Sequence, residues 1–273
     1  MTALFTLALA VAISSPITQI PKGDDVVATV DGVAIRAKDV DKALWDWYST
    51  DVVEEMVVTQ MVAGALKREG VMLDQKDVDA FLQRLLDEAK ASYPPGTNFE
   101  AELKKQGLPK SRLAARAATE VGLRQLTEAR FKPADFRKVA WLMIKPAAAG
   151  ADQMAAARKN ADEALDLLKT TPWAEVVKAR SHDKNSALRE GELGWFAVNE
   201  LPADVGDAMK PLASGAHTGV LESQGVLSIY RVVAVGPPPA AELEAVKASF
   251  VARNLSKVFQ EIRTKAKIER KGV

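Results

Sequence analysis

The chain has 273 residues, enough for one large domain or two modest ones. Its 37 basic and 36 acidic side chains nearly cancel, which argues against nucleic acid or a polyanion as partner. It contains no cysteine, which excludes disulfides, thiolate catalysis, Cys-ligated zinc and a lipid-bearing cysteine. Its two histidines offer no metal-ligand spacing. Phosphate loops, dinucleotide fingerprints and a nucleophile elbow are also missing from the sequence, so no metal or cofactor is expected.

Residues 3–13 form an uncharged apolar run of the length of a signal h-region, and Ala10-Val-Ala12 offers a small-x-small cleavage site. This reads as an export signal and leader over residues 1–24, placing the mature protein in the periplasm or cell envelope. No Lys or Arg precedes the run. An uncleaved anchor, bringing the protein close to a membrane, is the alternative, because the uncharged stretch reaches Ile20. Ser14, Ser15, Pro16, Thr18 and Gln19 make its second half a poor span.

Val26-Val-Ala-Thr-Val30, Asp31-Gly32 and Val33-Ala-Ile35 read as a tight hairpin, since Asp-Gly suits the positive backbone angles of a type I′ turn. Helical spacing follows over residues 44–67 and stops at Gly70. Asp74 opens a second helix with Val78, Phe81, Leu82, Leu85 and Leu86 on one face. Asn98 caps a third that Gly107 closes, and residues 111–131 form a fourth.

The period then becomes mixed. Residues 137–145 read as a strand, 151–168 as a helix, and Thr171-Pro172 launches a helix over 173–180. A loop over 181–196, a short helix over 202–212 and a final strand over 225–235 complete a block of α+β composition. Gly236-Pro-Pro-Pro239 marks the clearest boundary, because three prolines continue neither a ladder nor a helix. A long amphipathic helix begins at Ala240.

Ser181-His-Asp-Lys-Asn-Ser-Ala-Leu-Arg-Glu-Gly-Glu-Leu-Gly-Trp-Phe196 resembles the signature of parvulin-type (PpiC-like) prolyl isomerases, with Glu190 where the family has the first of two glycines and Glu192 where it has Asp. Val27-Ala-Thr-Val-Asp-Gly-Val-Ala-Ile35 and the helix starting near Lys38-Asp39-Val40 resemble the N-terminal chaperone domain of the SurA and PrsA group of extracytoplasmic foldases. In that group the C-terminal helix returns to the N-terminal helices, and Lys265-Ala-Lys-Ile-Glu-Arg270 resembles the strand that joins the hairpin. The resemblance implies an α+β protein. A helical domain over 25–135 would be completed by 237–273, with a parvulin-like domain over 136–236 inserted between its halves.

Parvulins build a proline socket from Leu, Met and Phe and set two histidines beneath a catalytic Cys or Asp. Carried over by position, the socket falls on Leu193, Leu201 and Val205, losing its aromatic wall at the last. Trp141, in Ala140-Trp141-Leu-Met-Ile144, stands at the first histidine. The second falls on Leu227 counted from Gly225, or on Ser228 counted back from Tyr230-Arg231. Asp183 takes the acidic position, with Lys184 as the competing alignment.

Plain structural readings stand beside these. Leu193, Leu201 and Val205 suit a core, Trp195 and Phe196 a packed pair, Asp183 a turn residue bonding its own loop, and His182 and His217 a loop and a turn. The resemblance therefore implies either an exported prolyl isomerase acting on unfolded chains through Asp183 and the socket, or a chaperone whose degenerate domain only binds them.

Overall fold

The computed structural model describes residues 20–271, so the export signal and its anchor alternative on residues 3–20 lie almost wholly outside the described residues. Among the described residues no helix is long and apolar enough to cross a membrane. The chain forms two compact units: residues up to Ala129 together with those from Asn254 onward, and the stretch Arg130–Arg253.

In the first unit, β1 (Val26–Val30) and β2 (Val33–Arg36) pair antiparallel about Asp31 and Gly32, both left-handed at φ 49 and 82, as a tight type I′ turn requires. The helix α1 (Ala37–Glu69) ends on left-handed Gly70. Asp74 caps α2 (Gln75–Ala91) by accepting from the Lys76 N–H at 2.8 Å, and Asn98 caps α3 (Phe99–Lys105) by accepting from that of Ala101. The fourth helix is α4 (Lys110–Glu128).

Met61, Val62, Ala65 and Leu66 recur at helical spacing on the second half of α1. They pack on Leu123 and Leu126 of α4 and on Val258 and Ile262 near the end of the chain. Gly122 permits this approach, since a Cβ there would meet Leu66 at 3.0 Å and Val62 at 3.1 Å. Above the core Glu55 of α1 receives hydrogen bonds from Arg112 and Arg116 of α4. The Arg112 bond holds its carboxyl down at about 2, against partial burial and with help from Arg116.

The first half of α1 is different: Trp45 and Trp47 are 60% and 69% exposed, beside exposed Tyr48, Val52 and Met56. The strand expected over 265–270 does not form. The hairpin stays two-stranded and residues 266–271 are irregular. Ala266 packs against the helical core and Arg270 pairs with Glu54, so a segment with only Ala266 and Ile268 to bury is held by those contacts instead.

The second unit runs β3 (Phe136–Ile144), α5 (Ala151–Leu167), α6 (Trp173–Arg180), α7 (Lys184–Ala187), β4 (Glu192–Ala197), α8 (Ala203–Met209), β5 (Leu221–Ser223) and β6 (Val226–Val235). The sheet is antiparallel in the order β4-β3-β6-β5. Strand alternation divides its side chains. Leu142, Ile144, Leu227 and Ile229 lie under α5 and α6, where Ala157, Ala161 and Ala164 let α5 come close. Val139, Tyr230 and Val232 face the other way, against Val205 and Met209 of α8.

The final helix α9 (Ala240–Lys265) contributes its residues through Arg253 to this unit, so the division falls inside the helix rather than at the triproline. Specific bonds explain the shift. Trp195 donates its indole N–H to Glu242 at 2.8 Å, Arg253 pairs with Glu200 and lies 4.6 Å over the Phe196 ring, and Phe250 meets Phe131 and Phe136. Gly236 sits so close to Pro133 that a Cβ would stand 2.3 Å from its carbonyl oxygen. The architecture is α+β, a helical unit and a mixed one.

Candidate functional site

The signature segment is held at the end of β3 by its own first residues. The buried Ser181 hydroxyl accepts from the Met143 N–H at 3.3 Å, and the His182 N–H donates to the Met143 carbonyl at 2.7 Å. His182 Nδ1 accepts from the Lys145 N–H, so this histidine is a strand-end fastener. Lys184, the competing residue at the acidic position, turns back and donates to the Ser181 carbonyl at 2.8 Å.

After α7 the chain reverses through Glu190 and Gly191, both left-handed at φ 56 and 79. Trp173 donates its indole N–H to the Glu190 carbonyl, and the Trp141 N–H donates to that of Gly191 at 2.9 Å. A Cβ at Gly191 would lie 2.2 Å from the Trp141 carbonyl oxygen, so only glycine fits this crossing. Glu192 to Phe196, read as the tail of a loop, form the edge strand β4 together with Ala197.

Asp183 caps α7, accepting from the Ser186 N–H at 3.4 Å, and its other oxygen accepts from the Trp141 indole N–H at 3.0 Å. The same indole N–H reaches the Ser186 hydroxyl at 3.1 Å. The Ser186 side-chain bond leads in holding the Asp183 carboxyl below its ordinary range. Burial opposes this, and Trp141 and the N–H groups of Ser186 and Asn185 assist. Asp183 is thus an ionised, acceptor-only group tied to the residue at the first histidine position. The turn role and the contact with Trp141 coexist in one side chain.

Leu193, Leu201, Val205 and Trp141 come together in one apolar cluster with Phe196 and Tyr230. Trp141, Leu193, Phe196 and Leu201 are half-buried and form its accessible surface. Val205, at 0% exposure, supports them from behind. Aromatic surface, expected to be lost at Val205, is supplied from the sheet by Trp141, Phe196 and Tyr230.

The pleat separates the two candidates for the second histidine. Ser228 opposes Met143 and lies on the face that carries Trp141, whereas Leu227 opposes Ile144 and is buried under α5 and α6. Leu227 is therefore core and away from the cluster, because neighbours along a strand point to opposite faces. His217 stacks on Trp173 with centroids 6.5 Å apart and its Nδ1 lies 2.9 Å from the Thr218 carbonyl oxygen, outside this group. Sequence reasoning missed Ser186 and Tyr230. Strand periodicity could have found Tyr230, two residues beyond Ser228.

Residues 142–234 match the family model described as the rotamase PPIC-type PPIase domain. The chain is 24% identical over 200 residues to the chaperone SurA of Pseudoalteromonas translucida, covering 66% of this chain and 46% of that one. It is 26% identical over 232 residues to the chaperone SurA of Burkholderia lata, covering 70% and 51%. The chain spans about half the length of the curated relatives it matches. Among solved structures it resembles the peptidylprolyl isomerase PrsA of Bacillus cereus, with 18% identity, a TM-score of 0.48 and coverage of 91% of this chain and 95% of that one.

Proposed function

We propose that this chain, which carries a PPIC-type domain and resembles SurA chaperones along much of its length, is an extracytoplasmic foldase that catalyses cis–trans isomerisation of Xaa-Pro bonds in unfolded or newly exported polypeptides. The observation that supports it most is the clustering of Trp141, Leu193, Phe196 and Leu201 beside the fixed Asp183 loop. Rotation about a prolyl amide meets a barrier of about 18–20 kcal/mol and breaks no bond, so an apolar seat for the ring and a dry environment for the amide are what the reaction needs. Leu193, Leu201 and Trp141 are the residues proposed to touch the client, with Val205 and Ser228 behind them and Asp183 positioning Trp141. Asp183 shapes the site through Trp141. It cannot protonate the amide, because its carboxyl is held ionised.

A second reading, a chaperone that holds clients without turnover, is favoured by the exposed Trp45, Trp47 and Tyr48 of α1 and by the replacement of both family histidines by Trp141 and Ser228. A proline-limited peptide assay separates the two. Acceleration that falls in Leu201→Ala and Asp183→Ala supports catalysis, whereas suppression of client aggregation without acceleration supports holding.

A further inference from the structure

Resting on the isomerase reading above, we propose that Tyr230 donates a hydrogen bond from its hydroxyl to the carbonyl of the client's proline residue. Tyr230 stands opposite Trp141 across the β3–β6 pair, and their ring centroids are 6.0 Å apart in the cluster that holds Leu193 and Leu201. Trp141, Asp183 and Lys184 are committed elsewhere. The single indole N–H of Trp141 is shared between Asp183 and Ser186, the Asp183 carboxylate only accepts, and Lys184 is folded onto the Ser181 carbonyl.

A phenol both donates and accepts, so the Tyr230 hydroxyl can donate a hydrogen bond to a client. The main chain of Tyr230 is fixed: its N–H donates to the Thr218 hydroxyl at 3.0 Å and its carbonyl accepts from the Thr218 N–H at 2.8 Å. Tyr230 as a residue is 9% exposed, and in buried surroundings a hydrogen bond counts for more than in water. Burial, the leading influence, with the nearby Asp204 charge acting the same way and the neighbouring Ser228 hydroxyl acting against it, raises the phenol pKa and keeps it a neutral donor.

The choice of carbonyl follows from amide resonance. A donor on the rotating carbonyl would strengthen the partial double bond and slow the turn. A donor on the proline's own carbonyl instead holds the ring side still while the preceding residue swings.

The test uses the full chain and a proline-limited Ala-Ala-Pro-Phe peptide, measuring kcat and KM together with thermal unfolding. Tyr230→Phe keeps the ring and its packing, so the melting temperature should hold while kcat/KM falls about fivefold to tenfold, the worth of one buried hydrogen bond. If the unmodified chain accelerates isomerisation and Tyr230→Phe matches it, the donor role is overturned and the isomerase reading stands. If Tyr230→Phe loses activity only in step with melting temperature, the residue is packing and the donor role is again overturned. Should the unmodified chain not accelerate the peptide at all, the isomerase reading fails and takes the donor role with it.

Discussion

Replacing Asp183 by Asn removes the charge and leaves one acceptor oxygen for two donors, the Ser186 N–H and the Trp141 indole. A hydrogen bond to an ionised group is worth about 1.5–3 kcal/mol against about 0.5–1.5 for a neutral one. The Trp141 bond at 3.0 Å is part-buried, so the variant should lose about 1 kcal/mol at neutral pH. Asp183→Ala loses the cap and the acceptor together and leaves the Trp141 N–H with Ser186 alone, for about 2–3 kcal/mol. Amide exchange of β3 reads the second unit separately from the first.

The pH dependence gives the sharper check. The Asp183 carboxyl titrates below its ordinary 3.8 in the folded chain, so its contribution is present above that value and is lost as pH falls through the folded pKa. The gap between the native chain and Asp183→Asn should therefore close as pH drops below about 3.8, while Asp183→Ala stays less stable. A gap that is absent at neutral pH, or that does not change with pH, would refute the assignment of the charge to this network.

Gly191→Ala should cost more than about 3 kcal/mol and disorder the start of β4, visible as lost exchange protection at Trp141, because the new Cβ would lie 2.2 Å from a backbone oxygen. Glu190→Gly should stabilise the second unit by about 0.5–1 kcal/mol in denaturant titration, since Glu190 holds a left-handed φ of 56 that glycine adopts without strain. Glu55→Gln should destabilise the first unit by about 1–2 kcal/mol at pH 7 after allowance for its one-third exposure. Its carboxyl sits at about 2 instead of 4.5, so the penalty should fade as pH drops from 4.5 toward 2.

What could be read from sequence was local chemistry. Asp31-Gly32, Asp74, Asn98 and Gly70 set their turn, caps and stop through local backbone and side-chain bonds, so the hairpin, the end of α1 and the starts of α2 and α3 stand close to expectation, while α1 begins at Ala37, seven residues before the helical spacing read over 44–67. The positions carried over from the family resemblance, Leu193, Leu201, Val205 and Trp141, lie in one apolar cluster. What depended on distant partners was hidden. Strand β4 exists because β3 pairs with it, and its Gly194 and bulge mask any alternation. The start of α9 is drawn to Trp195, Phe196 and Glu200 through Glu242 and Arg253, bonds that cross tens of residues and outweigh the boundary signal of three prolines. The choice between Leu227 and Ser228 turned on one residue of register, which reverses the face of every side chain.

The isomerase proposal stands or falls on prolyl relaxation. Uncatalysed, it takes about 10–100 s at 25 °C. With the full chain added to a proline-limited peptide, relaxation should speed up in proportion to protein concentration and slow again in Leu201→Ala with the fold intact. A folded chain that leaves the relaxation time unchanged at every concentration would contradict the proposal.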